Sequence, residues 1–305
     1  MKTIYKLSLL LVAIGLIYSS CDDHEYEMGS KLAIDKIDFT IEQDLSIDAG
    51  GNTVILTSNT PEIIPIWDYG TGKSNRAIDT INFAFAGEYV IKFSAMTEGG
   101  VVEADPVTIT VTEDNFNYVQ NPLWIKLSGG VGESKTWVLD LDENGVSKYF
   151  VGPQYFYGTD NGWLEDGNEW SGGSTGCYGD DCWNWSPDWQ GNQWLMEAGD
   201  YGTMTFSLDG GPFVSVNHLM MPSLGEENGT YYLDANAHTL TLTNAEMLHN
   251  QGNDACVDSW SSIRIFSLTD DTMQLGVLRK DSCDGAAMLV YNFISKEYSD
   301  NWVAE

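Results

Sequence analysis

The sequence predicts an all-β protein, a small sandwich followed by a larger jelly-roll-like β-sandwich that carries a long aromatic loop insertion. Three observations predict it. Short runs of alternating apolar and polar residues recur along the chain, each bounded by Gly, Asn, Asp or Pro. Helix is confined to a turn around residues 245–249. Between residues 149 and 201 the alternation gives way to a stretch holding six of the eleven tryptophans, interleaved with Gly, Asp, Asn and Gln.

The chain begins MKTIYKLSLLLVAIGLIYSSC, residues 1–21. Lys2 and Lys6 make a basic start, and residues 7–18 form an apolar run well short of the roughly 20 residues that span a bilayer. Ser19 and Ser20 then precede Cys21. This resembles a bacterial lipoprotein signal, which implies that Cys21 is lipidated and becomes the mature N-terminus. Asp22, Asp23, Glu25 and Glu27, within an acidic tether of residues 22–30, resemble the tag that follows the lipid cysteine in surface-exposed lipoproteins of Bacteroidetes. The alternative is a cleaved secretory signal; both readings place the mature chain outside the cytoplasm.

A chain of 305 residues suffices for about two domains. With 45 acidic against 14 basic residues, its formal charge of -31 argues against nucleic acid and anionic glycans and suits neutral ligands. Four cysteines remain after Cys21, an even number that fits two disulfides in an exported chain. Three pairings exist in principle, and proximity favours Cys177–Cys182 and Cys256–Cys283. No Cys/His spacing suggests zinc.

Residues 31–113 read as the first domain, with alternation at 52–56 (NTVIL), 89–94 (YVIKFS) and 107–111 (VTITV). Trp67-Asp68-Tyr69-Gly70-Thr71-Gly72 looks like the WDFGDG signature of polycystic-kidney-disease-type (PKD) immunoglobulin-like domains, and residues 86–91 (AGEYVI) match that family's GTYTV-type strand. The resemblance implies a seven-stranded sandwich, used as a spacer, with Trp67 in its core.

Residues 120–305 form the second domain. Its strands are read at 136–141, 203–208, 213–216, 230–233, 239–243, 263–268, 273–278 and 288–294, with turns at Asp209-Gly210-Gly211 and at 234–237. So many antiparallel strands at regular spacing predict the jelly-roll-like sandwich. The aromatic stretch is then an insertion. Gly, Asn, Asp and Pro break helix and strand alike, so it reads as loop, and its aromatic content argues against disorder. Flat rings beside carboxylates and amides suit sugars, whose C–H faces stack on rings and whose hydroxyls need hydrogen-bond partners.

The expected platform comprises Trp163, Trp183, Trp185 and Trp189 with Tyr157 at its edge, and Trp170 and Trp194 as further rings. Asp160, Asn161, Glu165, Asn168, Asp188 and Gln190 are the candidate hydroxyl partners. Some of the tryptophans are expected to cap the core instead.

Lipoprotein signal, acidic tag, PKD-like spacer and aromatic-rich sandwich together resemble the surface glycan-binding proteins of Bacteroidetes polysaccharide-utilisation systems. Lys135-Thr136-Trp137-Val138-Leu139-Asp140 and Leu289-Val290-Tyr291-Asn292-Phe293 look like recurring strands of their C-terminal domains. The resemblance implies a lipid anchor in the outer membrane at the cell surface, a SusC/SusD-like importer and a surface glycanase as partners, and a neutral polysaccharide, a β-glucan first, as ligand. Two other readings stay open. Glu165 and Glu169, with Asp166 between them, could serve a glycoside hydrolase, although the ExDxxE strand motif of one sandwich-fold family is absent. Residues 140–145 (DLDENG) fit the start of a calcium loop, as in a calcium-dependent lectin, but Val151 stands where a bidentate Glu belongs. No cofactor is expected.

Overall fold

The computed structural model describes residue 29 and residues 31–164 and 176–303. The expectations at Cys21, Glu165, Asn168, Glu169 and Trp170 lie outside the described residues.

The first domain is two antiparallel sheets. Strands β1 (Phe39–Gln43), β2 (Thr53–Ser58) and, after β3 (Ile64–Asp68) and β4 (Lys73–Ser74), β5 (Ile78–Asn82) make one sheet in the order β1-β2-β5. The other runs β4-β3-β6-β7, from β6 (Gly87–Thr97) to β7 (Gly100–Glu103), with β8 (Val107–Val111) also on β6. Alternation turns Val54, Leu56 and Ile81 of one sheet and Trp67, Ile91 and Phe93 of the other into a single core. Trp67 is fully buried there, and its indole N–H donates to the Arg76 carbonyl at 3.0 Å.

A linker then enters helix α1 (Pro122–Ser128), which sequence reading missed. Its signals are local: Asn121 Oδ1 accepts from the Leu123 amide at 3.0 Å, Pro122 occupies the first turn, and Gly129 ends the helix at φ 89°. Leu123, Trp124 and Leu127 make its buried face, too short a run to show a clear period. A second unexpected helix, α2 (Lys296–Asn301), is capped by Ser295, whereas residues 245–249 are not helical.

The second domain departs from the jelly roll. Its strands are β9 (Ser134–Leu139), β10 (Gln154–Tyr157), β11 (Asn184–Trp185), β12 (Gly202–Ser207), β13 (Phe213–His218), β14 (Glu226–Asp234), β15 (Thr239–Thr243), β16 (Ser262–Leu268), β17 (Thr272–Arg279) and β18 (Ala287–Ser295). From β12 to β18 each strand pairs with the next, β9 pairs with β12, and β18 returns to β9. Eight strands thus close into a barrel. A jelly roll needs connections that cross between sheets, and here the short turns between β12 and β13 and between β14 and β15 allow only nearest-neighbour pairing. Alternate residues, among them Trp137, Met204, Phe206, Val216, Tyr231, Leu275, Tyr291 and Phe293, fill the interior, as expected for a barrel of this strand number. Helix α1 closes the end at the β12–β13 turn, where Trp137 Nε1 donates to the Leu127 carbonyl at 2.9 Å. Residues 245–256, following β15, close the opposite end with Met247, Leu248 and His249 buried.

The aromatic insertion leaves β9 and docks on the outside of the barrel. Strand β18 makes this possible by dividing its partners: residues 293–295 pair with β9 and 288–291 with β10. Phe150, Tyr155 and Tyr157 then bury the outer faces of Phe266, Met288, Val290 and Ile294. A bulge between Ile265 and Ser267 leaves the Phe266 carbonyl free to accept from the Leu164 amide at 2.7 Å. Both disulfides expected from proximity are present, Cys177–Cys182 and Cys256–Cys283.

Candidate functional site

Strand β11 is only two residues long, yet it organises the exposed aromatic surface. Trp185 lies opposite Phe156 of β10, and their rings stack at 5.0 Å with a 27° interplanar angle. Phe156 is buried, so Trp185 rests on the core while remaining 43% exposed. Trp194, 74% exposed, continues the row at 6.3 Å and 29° from Trp185. At that distance, rings separated by a van der Waals gap of about 3.5–4 Å are displaced sideways by about 5 Å, so they overlap only at their edges. Period-two alternation sends Trp183 to the same side of the strand as Trp185, and it is 38% exposed.

These rings are held from below. The Trp183 indole N–H donates to Asp181 Oδ1 at 2.9 Å, and the Thr159 amide and hydroxyl donate to Asp181 Oδ2 at 2.8 and 2.9 Å. Those bonds, the Thr159 amide first, hold the Asp181 carboxyl below its ordinary range, so it stays ionised and fixes the indole. Asp160 Oδ2 accepts the Asp181 amide, and Asn161 Oδ1 accepts the Trp183 amide. Trp194 is braced through its neighbours. Asn250 Nδ2 donates to the Leu195 carbonyl at 3.1 Å, and Trp189 Nε1 donates to the Met196 carbonyl at 3.0 Å. Asn250 in turn accepts from the buried Tyr291 hydroxyl at 2.6 Å, which ties the loop to the barrel interior.

The structure therefore separates the expected residues. Trp185 and Trp194 come together on one outer rim, with the exposed Trp183 two residues before Trp185 on the same strand path. Tyr157 does not: it points to the face of β10 opposite Phe156, where it is fully buried against Phe266 on the outside of the barrel. Trp189 is half-buried on the barrel core, its ring pressed over Gly145, and serves packing. Trp163 stacks on His238 of the β14–β15 turn at 4.2 Å and 6°, lining a hollow of about 420 Å³ with Tyr178 and Arg264. Arg264 Nη1 donates to the carbonyls of Thr159 and Asn161 at 2.8 and 2.7 Å, so it holds this loop. Asp160 and the buried Asn161 are positioning residues rather than surface acceptors. Asp188 caps its own turn by accepting the Gly191 amide at 2.7 Å, and Gln190 is exposed beside it.

Sequence reasoning missed Asp181, Asn250, Arg264 and the exposed Tyr178. Only Asp181 left a signal, an acid two residues before a tryptophan. The carboxylates of the calcium-loop alternative are engaged locally, in keeping with a strand-ending turn. Asp140 accepts the amides of Lys148, Tyr149 and Phe150, and Asp142 those of Asn144 and Val146, so both carboxylates build turns. Among the described residues no group of three His, Cys, Asp or Glu is placed to hold a metal ion. Compared with protein-family models and with curated proteins, the chain finds no match, and the case for its function rests on this rim.

Proposed function

We propose that this protein is a lipid-anchored, cell-surface glycan-binding protein whose barrel rim captures a neutral polysaccharide for a SusC/SusD-type importer. The observation that carries the reading is the pair Trp185–Trp194, two large rings left open to solvent on a loop whose described parts are hydrogen-bonded to the barrel and to one another. An exposed tryptophan forgoes the burial of some 150–250 Å² of surface, so rigid scaffolding around it has no packing rationale. Displaced, near-parallel rings present an extended apolar strip, which suits successive sugar rings of one chain. The charge of -31 disfavours anionic glycans and leaves neutral ones, with a β-glucan first. In this reading the two-sheet first domain is a PKD-type spacer, Cys21 carries the lipid, and a surface glycanase supplies or trims the chains.

Titration of the full chain with neutral polysaccharides, run beside a reducing-sugar assay, tests the proposal. Binding without product, lost in Trp194→Ala and Trp185→Ala, is the expected result. Sugar release abolished by Glu165→Gln or Glu169→Gln would replace it with a glycoside hydrolase.

A further inference from the structure

A second cavity lies at the other end of the barrel, between the two domains. It has a volume of about 410 Å³, at the lower end of the range for small-ligand sites (about 300–1,000 Å³), and domain interfaces are where such sites are commonest. Its walls are fastened on both sides. Thr230 Oγ1 donates to the Gly70 carbonyl at 2.7 Å, joining β14 to the β3–β4 turn. On the opposite flank the Asn115 amide donates to the Ala84 carbonyl at 2.8 Å, and the Tyr118 hydroxyl donates to Asp48 Oδ2 at 2.5 Å. Ala84 and Phe85 of the first domain belong to the barrel's own core cluster, together with Trp124. The gap is therefore a built feature of a continuous structure.

Its lining has a distinct chemistry. Five of the chain's fifteen tyrosines face it, Tyr69, Tyr89, Tyr118, Tyr231 and Tyr232, with Trp124 beside them. Among the described residues four charged ones line it, Lys73, Arg76, Asp79 and Asp234, two of each sign. Each is already engaged within the protein. Arg76 pairs with Asp79 at 3.4 Å, Lys73 with Asp68 at 3.6 Å, and Asp234 Oδ1 accepts the amides of Asn236 and Ala237. A charged ligand would find no spare counter-charge among the described residues, whereas aromatic side chains, the half-exposed Tyr232 foremost, beside the amides of Asn75 and Asn82 suit a neutral, hydroxyl-rich ring.

We propose that this interdomain cleft is a second binding site, for a neutral saccharide of one or two rings. The argument does not rest on the rim, and the two sites can fail separately. The test is hydrogen exchange on the full chain with neutral hexasaccharides of β-1,3-glucose, β-1,4-glucose, β-1,4-xylose and β-1,4-mannose as probes. At least one sugar is expected to protect amides in residues 69–82 and 230–234. Tyr232→Ala, which removes a half-exposed ring, should weaken that protection step tenfold or more. Thr80→Trp, which fills the cleft and keeps Tyr232, should do the same, while Trp194→Ala should leave it intact. Protection of the cleft that survives loss of binding at the rim supports the cleft and defeats only the rim reading. Protection at the rim alone, at neither place, or unchanged in both cleft variants overturns the proposal.

Discussion

Tryptophan 194 and tryptophan 189 lie five positions apart and have opposite fates, which makes them the sharpest pair for mutation. Replacing the exposed Trp194 by Ala removes a ring that among the described residues overlaps only the edge of Trp185, so thermal stability should hold. Glycan affinity should fall about tenfold, since a stacking contact is worth about 0.5–1.5 kcal/mol beyond its area burial. Trp185→Ala should weaken binding similarly, and the double variant should leave a micromolar ligand undetected by calorimetry. Trp189→Ala is the control. Its indole packs on the barrel core and bonds to Met196, so the variant should lose about 2 kcal/mol or more of stability in urea unfolding. If Trp189→Ala and Trp194→Ala behave alike, the separation of packing from exposed rings is wrong.

Among the elements, the plug at residues 245–256 carries a pH dependence. His249 stacks on Trp260 at 3.7 Å, bonds to the Met247 carbonyl and Asp254, and lies 6.2 Å from His218, which contacts Glu227 at 3.1 Å. Burial lowers the pKa of both histidines, outweighing the acids nearby. With folded values below the ordinary 6.5, the unfolded chain takes up protons first on acidification. Stability is then complete above about pH 6.5 and falls as pH drops from there through the folded values, by at most about 1.4 kcal/mol per pH unit for each histidine. Urea midpoints between about pH 7.5 and 6 should show this slope, and His249→Phe should flatten it. The disulfides differ in reach. Cys256–Cys283 ties this plug to the β17–β18 loop across a separation of 27 residues, and its loss should cost up to about 3 kcal/mol. Cys177–Cys182 spans 5 residues at the insertion's tip, so Cys177→Ser with Cys182→Ser should leave the barrel's melting temperature unmoved and weaken glycan binding instead.

For the molecule as a whole, the two domains share more than a linker. Ala84 and Phe85 complete the barrel's core, and the Asp48, Asn115 and Tyr118 hydrogen bonds lock the junction. A barrel cut free at residue 114 should therefore melt several degrees lower than the full chain, because Trp124 loses its cover; equal melting would mean that the domains are merely tethered. Much of this architecture was legible in the residues. Strand positions, both disulfides and the location of the exposed rings follow from period-two alternation, cysteine proximity and the density of Trp against Gly and Asp, all properties of neighbouring residues. Barrel closure was not legible, since the strand pattern of a sandwich and of a barrel is the same, and only β18 reaching back to β9 distinguishes them. Nor was the division of the tryptophans. Trp185 is exposed because β11 is the outermost strand beside β10, whereas Tyr157 packs on Phe266 across the other face of β10. The sequence by itself determined where the tryptophans cluster and which polar residues lie among them. Long-range pairing, which no local pattern encodes, decided which of them reach the surface together.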